Sequence, residues 1–119
     1  LAWEMCKIVG RHGRVWAQEP DSLWTNQAKD LFVIPNLTWC DKSNIQRPDW
    51  TSCDVCVIDW VPHGGDLVVL EQIQEWPILN TVSSIMTEQH DDSIQHWMEH
   101  RGFSLAPDSE KYHTWWDKK

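Results

Sequence analysis

Val55-Cys56-Val57-Ile58-Asp59-Trp60 is a nearly continuous apolar run, with the polar stretch Asp41–Thr51 ahead of it and the turn-forming Pro62-His63-Gly64-Gly65 behind. A run of that length without strict alternation is the mark of a strand buried on both faces of a parallel sheet. Parallel neighbours cannot be joined by a tight turn; they need a crossover, usually a helix. The run therefore points to strand–helix–strand units.

The remaining segments read accordingly. Apolar residues at 1, 2, 5, 8 and 9 give Leu1 to Val9 a helical spacing, closed by Gly10 and Gly13 with Arg11 and His12 near the carboxyl end. Gly13 to Pro20 reads as a turn, a short strand Val15-Trp16-Ala17 and an acid, Glu19, beyond the strand's carboxyl end. Asp21 or Ser22 caps a helix to about Phe32, and Pro35-Asn36 turns into a strand, Leu37 to Cys40. After the apolar run the pattern predicts a helix over Asp66–Trp76 with Leu67, Val69, Leu70 and Ile73 inward, then a strand Val82–Thr87 ending at Glu88. Asp91, Asp92 or Ser93 caps the next helix, which Gly102 ends. Phe103–Leu105 and Tyr112–Trp115 form an antiparallel hairpin about a Pro107-Asp108 turn. The expected architecture is one α/β domain covering residues 1–119.

With 119 residues the chain has room for a single core, and 41% hydrophobic with 24% charged residues describes a globular composition. A net charge of -8 excludes a dedicated nucleic-acid surface, which needs a basic field. No apolar stretch approaches the roughly 20 residues of a membrane span, and the start carries no signal-like pattern. The first residue is Leu1 rather than Met, which fits a processed chain, as after organelle import or secretion, or a piece of a longer product. Either way a soluble or peripheral protein is expected, its compartment open. Ten Trp stand against one Tyr and two Phe. They either fill core positions that Phe or Tyr usually hold, or dock on other proteins; Trp24, Trp39, Trp50, Trp115 and Trp116 fall in predicted loops or polar faces.

Chemistry-bearing patterns are sparse. Cys53-Asp54-Val55-Cys56 is a C-x-x-C without the second pair of a zinc ribbon, and at a strand start rather than a helix N-terminus; buried small hydrophobes are the expected role. His96-Trp97-Met98-Glu99-His100 matches H-x-x-E-H, with Glu110 or His90 as conceivable third ligands. Solvated helix-face histidines outweigh a metal there, and a small metal-dependent hydrolase ranks last. Glu88-Gln89-His90-Asp91-Asp92, with Asp59 and His63, gathers polar groups at strand ends, the usual ligand edge of an open α/β sheet. Helix capping accounts for that cluster better than an acid/base pocket. Gly64-Gly65 precedes a helix but is followed by Asp66, which opposes an anion.

Three segments in order carry a resemblance: GRVWAQEP with its helix and IPNLTW, then DVCVIDW–VPHGGDLVVLEQI, then VSSIMTEQHDDSIQHWMEHRGFSL. Together they resemble the S-adenosylmethionine-dependent methyltransferases of the FkbM family. The resemblance implies a partial Rossmann-like methyltransferase sheet, mostly parallel, with a C-terminal antiparallel hairpin and the first strand missing. It implies that Glu19 is the ribose-binding carboxylate and that Asp59 lies at the lip of the methyl-transfer pocket. The family's glycine-rich first strand and loop have no counterpart, the turn after Asp59 is about two residues longer, and the loop from Asp41 to Ser52 is short. One surviving carboxylate contributes only ~1–3 kcal/mol. The expected function is therefore a methyltransferase-like domain without cofactor, a non-catalytic structural or interaction subunit of a larger complex. Its protein partners would be met through exposed Trp residues and an open sheet edge. The alternative is an S-adenosylmethionine-dependent methyltransferase completed by a missing segment or a partner chain. Without the first strand, residues 14–18 and 54–59 are expected to pair directly, or to receive a donated strand.

Overall fold

Helix α1 (Ala2–Val9) ends where the sequence stops supporting it: Gly10 adopts φ 71°, which favours glycine. The computed structural model describes residues 2–10, 12–18, 36–40, 45–59, 65–88, 90–107, 109–110 and 113–119. Glu19, the helix expected over 21–32, Trp60, His63, Gly64, Asp108 and Tyr112 lie outside the described residues. The chain divides into two compact units, Leu1–Asp49 and Trp50–Lys119.

In the first unit, Gly13 lets the chain return along α1, since a side chain there would collide with Val9, including its carbonyl oxygen. β1 (Val15–Gln18) then pairs in parallel with β2 (Leu37–Cys40), in the register Val15 opposite Leu37 through Gln18 opposite Cys40. The Asn36 side-chain amide donates to the Gly10 carbonyl at 3.0 Å, fastening the entry of β2 to the end of α1. Cys6, Val15 and Cys40 are buried.

The second unit contains β3 (Val55–Ile58), α2 (Asp66–Ile73), a 3₁₀ turn (Pro77–Thr81), β4 (Ser84–Thr87), α3 (Asp92–His100), β5 (Phe103–Leu105) and β6 (Thr114–Lys118). The four strands form one sheet in the order β3-β4-β6-β5. β3 and β4 are parallel; β6 runs antiparallel to both β4 and β5. The last strand is thus inserted between β4 and β5, and β3, β4 and β5 all end at the same edge. The molecule is a small α/β protein with mixed sheets. Its largest fully buried side chains include Trp116, Phe103, Leu70, Ile85, Ile94 and Met98.

Several expectations change. The apolar run is not buried on both faces: along β3 only Ile58 is buried, and Val55 is 38% exposed. Among the described residues β3 has one strand neighbour, β4, so it ends the sheet. The strand with buried residues on both faces is the less apolar β4, where Ile85, Met86 and Thr87 are all buried between β3 and β6. Residues 14–18 and 54–59 do not pair with each other; β1 takes β2 and β3 takes β4, in separate sheets. α2 stops at Ile73 rather than Trp76, because Pro77 opens the 3₁₀ turn and disfavours helix in the residue before it. β6 extends from Thr114 to Lys118, three residues past its expected end at Trp115.

Trp116 also departs from its expected placement. Trp116, expected in a loop or polar face, is fully buried, and Trp97 is buried; Trp16, Trp50, Trp76 and Trp115 are half-buried. Among the described residues the exposed large hydrophobics are Ile8, Val9, Val55, Val68 and Leu105, with no tryptophan. Membrane-spanning helices are absent as well: no helix among the described residues is long and apolar enough to cross a bilayer.

Candidate functional site

Because β3 and β4 run in parallel, their carboxyl ends open on one edge, where open α/β sheets hold ligands. Asp59 follows β3 directly and is exposed. Beyond β4, Glu88 is half-buried and His90, Asp91 and Asp92 are exposed. The other residue assigned to a cofactor, Glu19, lies outside the described residues.

Internal bonds engage several polar groups at this edge. Asp91 accepts from the Ile94 N–H at 2.9 Å and is the N-cap of α3. His90 Nε2 meets Gln95 Oε1 at 3.0 Å, and its ring stands edge-on to Trp116 with centroids 5.3 Å apart. Trp116 donates its indole N–H to Thr87 Oγ1 at 3.1 Å in the interior. Ser109 Oγ donates to the Ala106 carbonyl and accepts from the Trp115 N–H at 3.0 Å. Of these, His90, Ala106 and Ser109 border a shallow concavity of about 360 Å³ that Thr114 and Glu110 also line.

Asp66 is the residue that sequence reasoning undervalued. It is 1% exposed, and its Oδ2 accepts from the Glu88 N–H at 2.9 Å. The carboxylate therefore ties the start of α2 to the exit of β4, and its charge sits favourably in the first helical turn. The signal was the position itself, an acid opening a helix that crosses between two parallel strands.

The cysteine pair behaves as the strand-start reading implied, with one amendment. Cys53 and Cys56 are free and half-buried rather than buried; Cys6 and Cys40 are the buried ones. Burial pushes the Cys56 thiol up to about 12, with Cys53 adding to the effect. Cys53 is raised too, chiefly by burial, although its Sγ donates to the Val55 carbonyl at 3.2 Å. Neither is poised as a thiolate, unlike the low-pKa cysteine of a redox C-x-x-C.

A larger open cleft of about 720 Å³ lies between α2 and α3. His96 and His100 both line it, one turn apart on α3, with ring centroids 6.3 Å apart and planes within 19° of parallel. Neither Glu110 nor His90 joins them: among the described residues, no group of three or more His, Cys, Asp or Glu side chains converges in a metal-holding arrangement. Glu99 instead accepts from Gln95 Nε2 at 3.0 Å along the helix.

No protein-family model matches this sequence, and no curated protein or solved structure matches it either.

Proposed function

We propose that this chain is a methyltransferase-like α/β domain, related in layout to the FkbM enzymes, that serves as a non-catalytic structural or interaction subunit. The layout is supported by the order of parts: parallel β1 and β2, parallel β3 and β4 joined through α2, then a closing hairpin whose last strand runs antiparallel. One observation carries the non-catalytic part. At the carboxyl edge, Asp66, Thr87, His90, Asp91 and Ser109 already have partners within the chain. A nucleoside or catalytic site needs several polar groups converging on empty space. Here Asp66 ties the start of α2 to the exit of β4, and Asp91 and His90 bond within the start of α3. Thr87 bonds Trp116 between strands, and Ser109 accepts the Trp115 N–H in β6.

A second reading, a methyltransferase completed by a further segment or chain, draws on Asp59, which stands exposed at the end of β3 where the resemblance puts the pocket's lip. Isothermal titration with S-adenosylmethionine separates the two. The subunit reading expects no saturable heat at micromolar ligand. Micromolar binding by this chain alone overturns it and favours the second.

A further inference from the structure

We propose that His96 and His100 form a two-imidazole binding site for a first-row transition-metal dication at the cleft between α2 and α3. The proposal stands apart from the methyltransferase question, since these residues lie on α3 and not at the strand ends.

Four observations lead to it. The two imidazoles sit four residues apart, so α3 projects them onto one face. Both are exposed, so each ring can turn about χ2 and offer one nitrogen without disturbing the core. The near-parallel rings, 6.3 Å between centroids, leave a gap that an ion ligated at about 2.0–2.1 Å can bridge after such a turn. The cleft also has an acidic lining: Glu71 reaches it from α2 and Asp92 from one turn before His96. Its one guanidinium, Arg101, also lines the cleft, where it lies 4.8 Å over the Trp97 ring and donates to the Gln74 carbonyl at 3.1 Å.

The helix that carries the pair is held rigidly, which lowers the entropy lost on chelation. Asp91 caps its start, Ile94, Trp97 and Met98 anchor its inner face, and Arg101 ties its end to α2. Two protein ligands and water complete such a site. Imidazole donors select intermediate ions, with affinity rising towards Ni²⁺ and Cu²⁺. Glu99, bonded to Gln95, is not held as a base beside the ion, so binding is the inference and hydrolysis is not.

Ni²⁺ alone, titrated into the intact reduced chain near neutral pH, tests this, with imidazole ring signals followed by NMR. The signals of His96 and His100 should broaden first and together. His96→Gln or His100→Gln should weaken binding at least about tenfold, since even the loss of an outer-shell partner costs a metal site 10–100-fold. His90→Gln should leave affinity unchanged. The variants keep a good helix former at exposed positions, and far-UV circular dichroism confirms that α3 persists. Absence of binding, broadening that begins at another histidine, or unchanged affinity in a chain carrying both His96→Gln and His100→Gln overturns the site.

Discussion

Trp116 shows how far a single residue's role depends on its surroundings. In sequence it belongs to a Trp-Trp pair near the C-terminus that reads as surface; in the fold it is fully buried and donates to Thr87 across β6 and β4. The two residues lie on adjacent paired strands, where Thr87 sits opposite Thr114. Replacing the indole with phenyl removes the donor but keeps most of the apolar bulk. Trp116→Phe should therefore cost about 1–3 kcal/mol for the lost buried bond, and Trp116→Ala about 3–5 kcal/mol through the added cavity. Urea unfolding monitored by circular dichroism measures both. A Phe variant as stable as the parent would show that the hydrogen bond contributes nothing. Asp66 teaches the same lesson from the polar side. Its burial is tolerable because the carboxylate accepts a backbone N–H that would otherwise be without that partner.

At the scale of elements, α3 was the most legible part of the chain. A cap among Asp91, Asp92 and Ser93 and a glycine stop at Gly102 were read from the residues, and the structure assigns the cap to Asp91, starts the helix at Asp92 and buries Ile94, Trp97 and Met98 on its inner face. Gly102 adopts φ 85°, where an L side chain is strained. A Cβ there would meet only the tip of the Lys118 side chain at 3.8 Å, so the cost of substitution is conformational rather than steric. Gly102→Ala should lose about 1–2 kcal/mol, and Gly102→Asn less, because Asn tolerates the left-handed region better. Thermal unfolding of the two variants decides; an alanine variant that melts with the parent would contradict the argument. The ends of α2 and β6 were less legible. Proline at 77 shortens α2, and pairing with Ser84 through Thr87 on one side and Phe103 through Leu105 on the other carries β6 three residues beyond the expected end at Trp115.

For the whole molecule, the chain's division at about residue 49 is the main structural fact. Residues 50–119 contain a four-stranded sheet, both helices α2 and α3 and, among the described residues, most of the buried side chains. A fragment beginning at Trp50 should therefore fold, retaining the near-UV circular dichroism of a packed Trp116 and a cooperative urea transition. A fragment without either would mean that the second unit depends on the first. The candidate site is similarly divided in its legibility. The polar cluster at 88–92 and the H-x-x-E-H spacing were visible as residues, and of the expected caps Asp91, Asp92 and Ser93 it is Asp91 that accepts the Ile94 N–H. That His96 and His100 share a cleft with Glu71 was not visible, because Glu71 comes from another helix whose approach is a matter of packing.

Local spacing and turn chemistry determined most of the described elements, since helix caps, glycine stops and apolar periodicity act within a few residues of chain. Strand neighbours are another matter. Hydrophobicity marked Val55–Ile58 as the most interior strand, yet among the described residues it ends its sheet, while Ser84–Thr87 with fewer apolar residues occupies the interior. Which strand becomes interior is decided by hydrogen bonds between segments far apart in sequence, above all the insertion of β6 beside β4, and no local pattern encodes that choice.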